Sequence, residues 1–120
     1  MLFADDETTL HRLVVALLST HGYQVECVTN GAEGLRSFRK RHHDAIITDL
    51  LMPEMNGYEF LRELRAIDPD AGERTIVLTG ASEETWRWFE RDGVASFLTK
   101  PVDPAVLLAE LSRCVSRKKR

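Results

Sequence analysis

Residues 44–53 read Asp44-Ala45-Ile46-Ile47-Thr48-Asp49-Leu50-Leu51-Met52-Pro53. Asp44 to Thr48 is predicted to be a short, buried strand, and Asp49 ends it. The loop Leu50 to Asn56 contains Pro53, and Gly57 leads into a helix whose inner face is Phe60, Leu61 and Leu64. A strand that ends on a polar residue and passes through a loop into a helix is one structural unit. Whether that unit recurs decides the fold.

It recurs along the chain. Leu2-Phe3-Ala4 runs into Asp5-Asp6, Ile76-Val77-Leu78 into Thr79, and Phe97-Leu98 into Thr99 and Lys100. The strands are expected at 2–4, Gln24 to Val28, Asp44 to Thr48, Thr75 to Thr79 and Ser96 to Thr99. Thr8 or Thr9 opens the first helix, where Leu10, Leu13, Val14, Leu17 and Leu18 recur at helical spacing, and Gly22 suits its C-terminal end. Asn30 is a good N-cap for a helix that carries Ala32, Leu35 and Phe38 inward and ends in the basic run Arg39-Lys40-Arg41. Asp68-Pro69-Asp70-Ala71-Gly72 is turn chemistry. Ser82, followed by Glu83 and Glu84, opens a fourth helix that Asp92-Gly93 closes. Asp103-Pro104 opens the last, with Leu107, Leu108, Leu111 and Val115. This (βα)5 order predicts an α/β fold, a five-stranded parallel sheet covered by helices on both faces.

The bulk composition is that of an ordinary soluble domain. The 120 residues suit one core; 43% are hydrophobic and 29% charged, and the net charge of −3 gives no general pull toward nucleic acid or anionic membrane. No apolar run approaches the ~20 residues of a membrane span. Residues 1–10 carry three acids and no basic cluster, so no signal peptide is expected. Cys27 and Cys114 have neither a disulfide framework nor zinc-ligand spacing, which suits reduced thiols in the cytoplasm.

In a parallel sheet the strand ends share one edge. Asp5, Asp6 and Asp49, the Thr79 hydroxyl and the Lys100 ammonium then meet in one crevice, where open α/β sheets bind ligands. Three carboxylates repel one another, and a divalent cation relieves that repulsion. Mg²⁺ prefers oxygen ligands and keeps phosphate oxygens in its shell. Lys100 supplies positive charge for a phosphoryl group, and Asp49 is a nucleophile able to form an acyl phosphate.

With these residues in place, the chain resembles the receiver domain of two-component response regulators. The motifs are Phe3-Ala4-Asp5-Asp6-Glu7, Thr48-Asp49-Leu50-Leu51-Met52-Pro53 with Gly57, Leu78-Thr79-Gly80 and Thr99-Lys100-Pro101. The resemblance implies the flavodoxin-like strand order 2-1-3-4-5, for which a chemotaxis member of this family is itself a standing example. It implies Asp49 as phosphoacceptor, Asp6 as direct Mg²⁺ ligand, Asp5 acting largely through water, and the Leu51 backbone carbonyl as a third protein ligand. It implies a cis Lys100-Pro101 peptide, with Lys100 on the phosphoryl group. Thr79 and Phe97 become a switch pair, the threonine moving onto the phosphoryl group and the ring turning inward.

The implied partners are a histidine kinase or a histidine phosphotransfer protein as donor, and an output domain or effector protein reached by the last two helices and last strand. A phosphorylation-dependent homodimer is open. The receiver domain is expected over residues 1–116, with 117–120 a basic tail or the start of a linker. No direct contact with nucleic acid or membrane is expected. The first strand is short for a central one, which suggests a trimmed fragment.

Leu51 and Ala81 lie two residues after the acceptor and the switch threonine, where the family's side chains border the path of hydrolytic water. Both are apolar, so modest rather than fast loss of the phosphoryl group is expected. Gly93-Val94-Ala95-Ser96-Phe97 lacks the acids that often precede the switch aromatic, which puts a salt-bridged dimer in doubt. Trp86 and Trp88 are candidates for a partner surface, with Phe89 in the core. His42-His43 reads as a solvated helix end, and His11 and His21 as surface residues. Three rivals are a phosphatase with an aspartyl nucleophile, an unphosphorylated pseudo-receiver and a flavin binder. The first lacks a second Asp at position 51, the second is opposed by the full acidic set, and the third lacks a phosphate loop after the first strand.

Overall fold

The computed structural model describes residues 1–80 and 93–118, with side chains to Val115. The elements are β1 (Leu2–Ala4), α1 (Thr8–Ser19), β2 (Glu26–Val28), α2 (Gly31–Lys40), β3 (Ile46–Thr48), α3 (Gly57–Ile67), a 3-10 turn (Ala71–Arg74), β4 (Thr75–Thr79), β5 (Ser96–Thr99) and α4 (Pro104–Lys118). The expected fourth helix, with Ala81, Trp86, Trp88 and Phe89, lies outside the described residues. The five strands form one sheet in the order β2-β1-β3-β4-β5, and every pairing is parallel, as expected.

Side chains alternate across each strand and divide the core in two. Leu2, Ala4 and Ile46 pack with Leu35 and Phe38 of α2 and Phe60 and Leu64 of α3. Phe3, Ile47, Ile76 and Leu78 pack on the opposite face with Val14 and Leu18 of α1 and Leu107 and Leu111 of α4. The sheet is therefore covered on both sides, which accounts for its continuous apolar runs.

Two strands are shorter than expected. Gln24-Val25 and Asp44-Ala45 fall outside β2 and β3 because β1, the neighbour of both, spans only Leu2–Ala4. A ladder extends no further than its partner.

Local chemistry explains the helix starts. Asn30 accepts from the Glu33 N–H at 2.9 Å. Asn56 and Glu59 form a reciprocal capping box, which the sequence reading had passed over. Asp103 Oδ1 accepts from the N–H groups of Ala105 and Val106. Helix α1 begins at Thr8, and its N-cap Glu7 makes no side-chain cap.

Two expectations need correction. Leu13 shares the apolar spacing of α1, which predicts one apolar face, yet it is 59% exposed, because α1 packs chiefly through Val14 and Leu18. His43 is buried, not solvated: its ring stacks on Phe38 and its Nε2 shares a 3.1 Å hydrogen bond with Ser37 Oγ. His11 also has partners, an edge contact with Phe3 and a hydrogen bond from Nε2 to the Asp5 carbonyl. Helix α4 runs to Lys118, so its backbone takes in the first two residues expected in the tail.

Candidate functional site at the carboxyl edge of the sheet

The ladder continues one step beyond the strands and aligns the polar residues. The Asp5 N–H bonds the Val28 carbonyl at 3.1 Å, the Asp49 N–H the Ala4 carbonyl at 3.0 Å, and the Lys100 N–H the Thr79 carbonyl at 2.9 Å. Residues remote in sequence thus leave the sheet side by side. Gly57 seals the floor: a Cβ there would stand 2.2 Å from the Asp49 carbonyl oxygen, so only glycine lets α3 start against the Asp49 backbone.

Asp5 is fully buried, Asp49 nearly so, and Asp6 exposed. One carboxylate oxygen from each lies within 4.8 Å of the others. Asp49 Oδ1 accepts from the N–H groups of Leu50 at 2.6 Å and Leu51 at 3.3 Å, which fixes the carboxylate plane. Its Oδ2 accepts from Lys100 Nζ at 2.9 Å. Asp5 Oδ1 accepts from the Glu7 N–H at 2.9 Å. Asp5 Oδ2 stands 3.0 Å from Lys100 Nζ but out of line for a hydrogen bond, so this buried oxygen has no donor.

The charges are unbalanced. Four carboxylates, those of Asp5, Asp6, Glu7 and Asp49, face one ammonium. Burial holds the Asp5 carboxyl above its ordinary range, against the Glu7 N–H and Lys100, which favour the charged form. Burial works to lower the Lys100 pKa, but hydrogen bonds to the carboxylates overcome it and push it well up, so the ammonium stays charged. The donor set suits a hard divalent cation: all ligands are oxygens, the charge is in excess, and a buried oxygen lacks a donor.

Thr79 is fully buried at the end of β4, in register with Thr99. Phe97, on β5, is half-buried and packs against the cluster of Leu50, Leu61 and Val77. The Lys100–Pro101 peptide bond is cis. Leu51 is 65% exposed, its side chain turned away from the core. The sequence reading assigned Glu7 no role, yet its Oε1 lies 2.7 Å from Lys100 Nζ, 93 residues away in sequence. Nothing short of the tertiary fold brings that pair together. Beside it a groove of about 470 Å³ is lined by Glu7, Leu10, Leu13, Lys100, Pro101 and Val102.

The chain is 33% identical to the protein PilH of Pseudomonas aeruginosa over 113 residues, 93% of each chain. Two longer curated relatives are covered over only 24% and 16% of their length. A receiver-domain protein from Clostridium thermocellum superposes with a TM-score of 0.89 at 32% identity, covering 98% of this chain and 94% of that one. The receiver domain of the sensor histidine kinase PA1611 from P. aeruginosa PAO1, whose active-site cleft coordinates a magnesium ion, gives 0.86 at 29%, covering 96% and 95%. The family model described as response regulator receiver domain matches residues 1–112, so this chain, with its acidic crevice at the carboxyl edge of a 2-1-3-4-5 sheet, belongs to the response regulator receiver domain family.

Proposed function

We propose that the chain is a phosphorylation-activated switch that accepts a phosphoryl group on Asp49. The observation that carries this reading is the meeting of the Asp5, Asp6 and Asp49 oxygens beside the Lys100 ammonium. Asp5, Asp6, Asp49 and the Leu51 carbonyl would hold Mg²⁺, which supplies neutralising charge to carboxylates and phosphoryl oxygens alike. A magnesium ion in the PA1611 receiver cleft supports that choice.

The donor is a histidine kinase or a histidine phosphotransfer protein. An Asp49 carboxylate oxygen attacks phosphorus as the bond from phosphorus to the donor's imidazole nitrogen breaks, and that nitrogen keeps the electron pair. Leu50 and Leu51 N–H groups orient the carboxylate, and Lys100 follows the charge. Hydrolysis reverses the state: water attacks phosphorus, the Asp49 oxygen leaves, and phosphate departs. The chain thus acts on itself, and its product is a conformational signal. Leu51 and Ala81 offer no hydrogen bond to that water, so Leu51→Asn should change the phosphoryl lifetime; an unchanged short lifetime would count against this role.

Thr79 and Phe97 form the switch that carries the signal to the surface of the last two helices and β5, where an output domain or effector meets it, with Trp86 and Trp88 as candidate contacts. We assign residues 1–116 to the receiver and place the chain in the cytoplasm; no described helix is long and apolar enough to cross a membrane. The apolar groove of Leu10, Leu13, Pro101 and Val102 opens beside Lys100 and suits an apolar helix of the donor. Leu13→Asp should slow transfer from a protein donor about tenfold and leave acetyl phosphate unaffected; equal slowing with both would remove the groove from the donor's path.

Intact mass after incubation with acetyl phosphate and Mg²⁺ tests the central claim. One added phosphoryl group, absent with EDTA, is the expected result. No addition, with no Mg²⁺ binding by titration, would move the chain to an unphosphorylated binding module.

A further inference from the structure

Glu7 is the unexplained member of the crevice. It is the N-cap of α1, yet its side chain caps nothing, and the first turn of α1 holds no acid. The carboxylate goes instead to Lys100, in the shortest contact that ammonium makes: 2.7 Å, against 2.9 Å to Asp49 and 3.0 Å to Asp5. Two residues that the phosphoryl chemistry needs as a pair, Asp49 and Lys100, are thus joined by a third that it does not need.

That contact has a consequence for phosphorylation. Glu7 Oε1 and Asp49 Oδ2 are acceptors of one nitrogen, so a phosphoryl group built on Asp49 arrives within a few ångström of the Glu7 carboxylate. It brings more negative charge than the carboxylate it replaces and three strong acceptor oxygens. Both anions compete for one ammonium, and each repels the other.

We propose that Glu7 is a resident competitor for Lys100. It holds the ammonium while Asp49 is unmodified, the incoming phosphoryl group displaces it, and Glu7 thereby sets how readily the site accepts a phosphoryl group. The proposal rests on Asp49 as the phosphoacceptor. Glu7 touches no reacting atom; it is a positioning residue that acts through Lys100. Its release also breaks the tie between the loop before α1 and the loop after β5, two sides of the groove lined by Glu7, Leu13 and Pro101.

Glu7 is exposed, so the effect is screened by solvent and salt. Uptake from acetyl phosphate should be followed by intact mass at saturating Mg²⁺ in wild type, Glu7→Gln and Glu7→Asp. We expect Glu7→Gln to be labelled roughly threefold faster at low ionic strength, the size of effect an exposed ion pair allows. Glu7→Asp, with the charge kept on a shorter arm, should fall between. The gap should shrink in about 1 M KCl, where salt weakens an exposed ion pair. In the metal-free protein the Lys100 ¹⁵Nζ resonance should shift in Glu7→Gln. A purely structural role would give neither the salt dependence nor the ordering of variants. Equal labelling of wild type and Glu7→Gln, or slower labelling of the variant, overturns the competition while leaving Asp49 as acceptor. No labelling of any of the three proteins overturns the acceptor reading, and the competition falls with it.

Discussion

The two ends of the same five strands both carry buried charge, and they handle it in opposite ways. At the amino end, Arg74 donates to the Asp68 carboxylate at 2.9 Å and, through Nε, to the His43 carbonyl at 3.3 Å. His43 is bonded to Ser37, and Glu26 lies between Arg41 and His43 at 3.8 and 3.9 Å. Cations and carboxylates there are matched, although Glu26 Oε1 and Arg74 Nη2 are buried without hydrogen bonds. At the carboxyl end, the carboxylates of Asp5, Glu7 and Asp49 share the Lys100 ammonium, and Asp6 adds a fourth negative charge beside them. One end balances its charges; the other gathers an excess of negative charge, which suits the proposed cation and phosphoryl group.

The sharpest break between the ends is Asp49→Asn. It should abolish phosphoryl incorporation measured by intact mass while the thermal transition is retained, since Asn keeps the volume and removes one of the crowded charges. Residual incorporation at wild-type rate would place the acceptor elsewhere.

Arg74→Met should do the reverse. Removing one partner of a largely buried ion pair leaves Asp68 without its cation, and stability should fall by about 2 kcal/mol in urea titration. The phosphoryl incorporation of the folded fraction should be unchanged. A coupled loss of incorporation would show that the two ends are not independent.

Asp5→Asn tests the excess charge directly. Burial raises the Asp5 pKa above its ordinary value of 3.8, so the stability it contributes is fully present below that value and lost as pH rises through the folded pKa. In EDTA at neutral pH the variant should therefore gain about 1 kcal/mol in urea titration. The gain should shrink as pH falls toward 3.8, and Mg²⁺ should stabilise the variant less than wild type. A loss of stability in EDTA would contradict the picture of unrelieved repulsion.

The smallest effect is a pH slope of opposite sign. Burial lowers the His43 pKa below its ordinary value of 6.5, helped by the amino-terminal charge and Arg41 and opposed by Glu26. Its contribution is present above pH 6.5 and lost as pH falls through the folded pKa. Thermal melts between pH 7.5 and 5 (a span of about 2.5 units) should show a shallower loss in His43→Gln than in wild type. Identical slopes would mean that His43 does not titrate with unfolding.

Much of the carboxyl end was legible in the sequence. Short apolar runs stopping on Asp5, Asp49, Thr79 and Lys100 mark strand ends, because a parallel strand covered on both faces favours apolar residues and leaves charged ones to the point where the chain exits the sheet. The amino end was not legible in the same way. His42 and His43 are adjacent and chemically identical, and only the packing of one ring on Phe38 separates the buried from the exposed one. Leu13 failed for a related reason: periodicity gives the apolar side of a helix but not which of its residues reach the sheet.

By itself the sequence determined the order of strands and helices, the family, and the residues that meet beyond the strands. These follow from short apolar runs, from apolar residues at helical spacing and from the polar residues that end them. The tertiary structure alone decided which oxygens share Lys100, that Gly57 must lie against the Asp49 backbone, and that Glu7 turns from its own helix to a lysine at the far end of the chain. Those are contacts between segments joined by no local pattern, and their geometry is fixed only when the two faces of the sheet have packed.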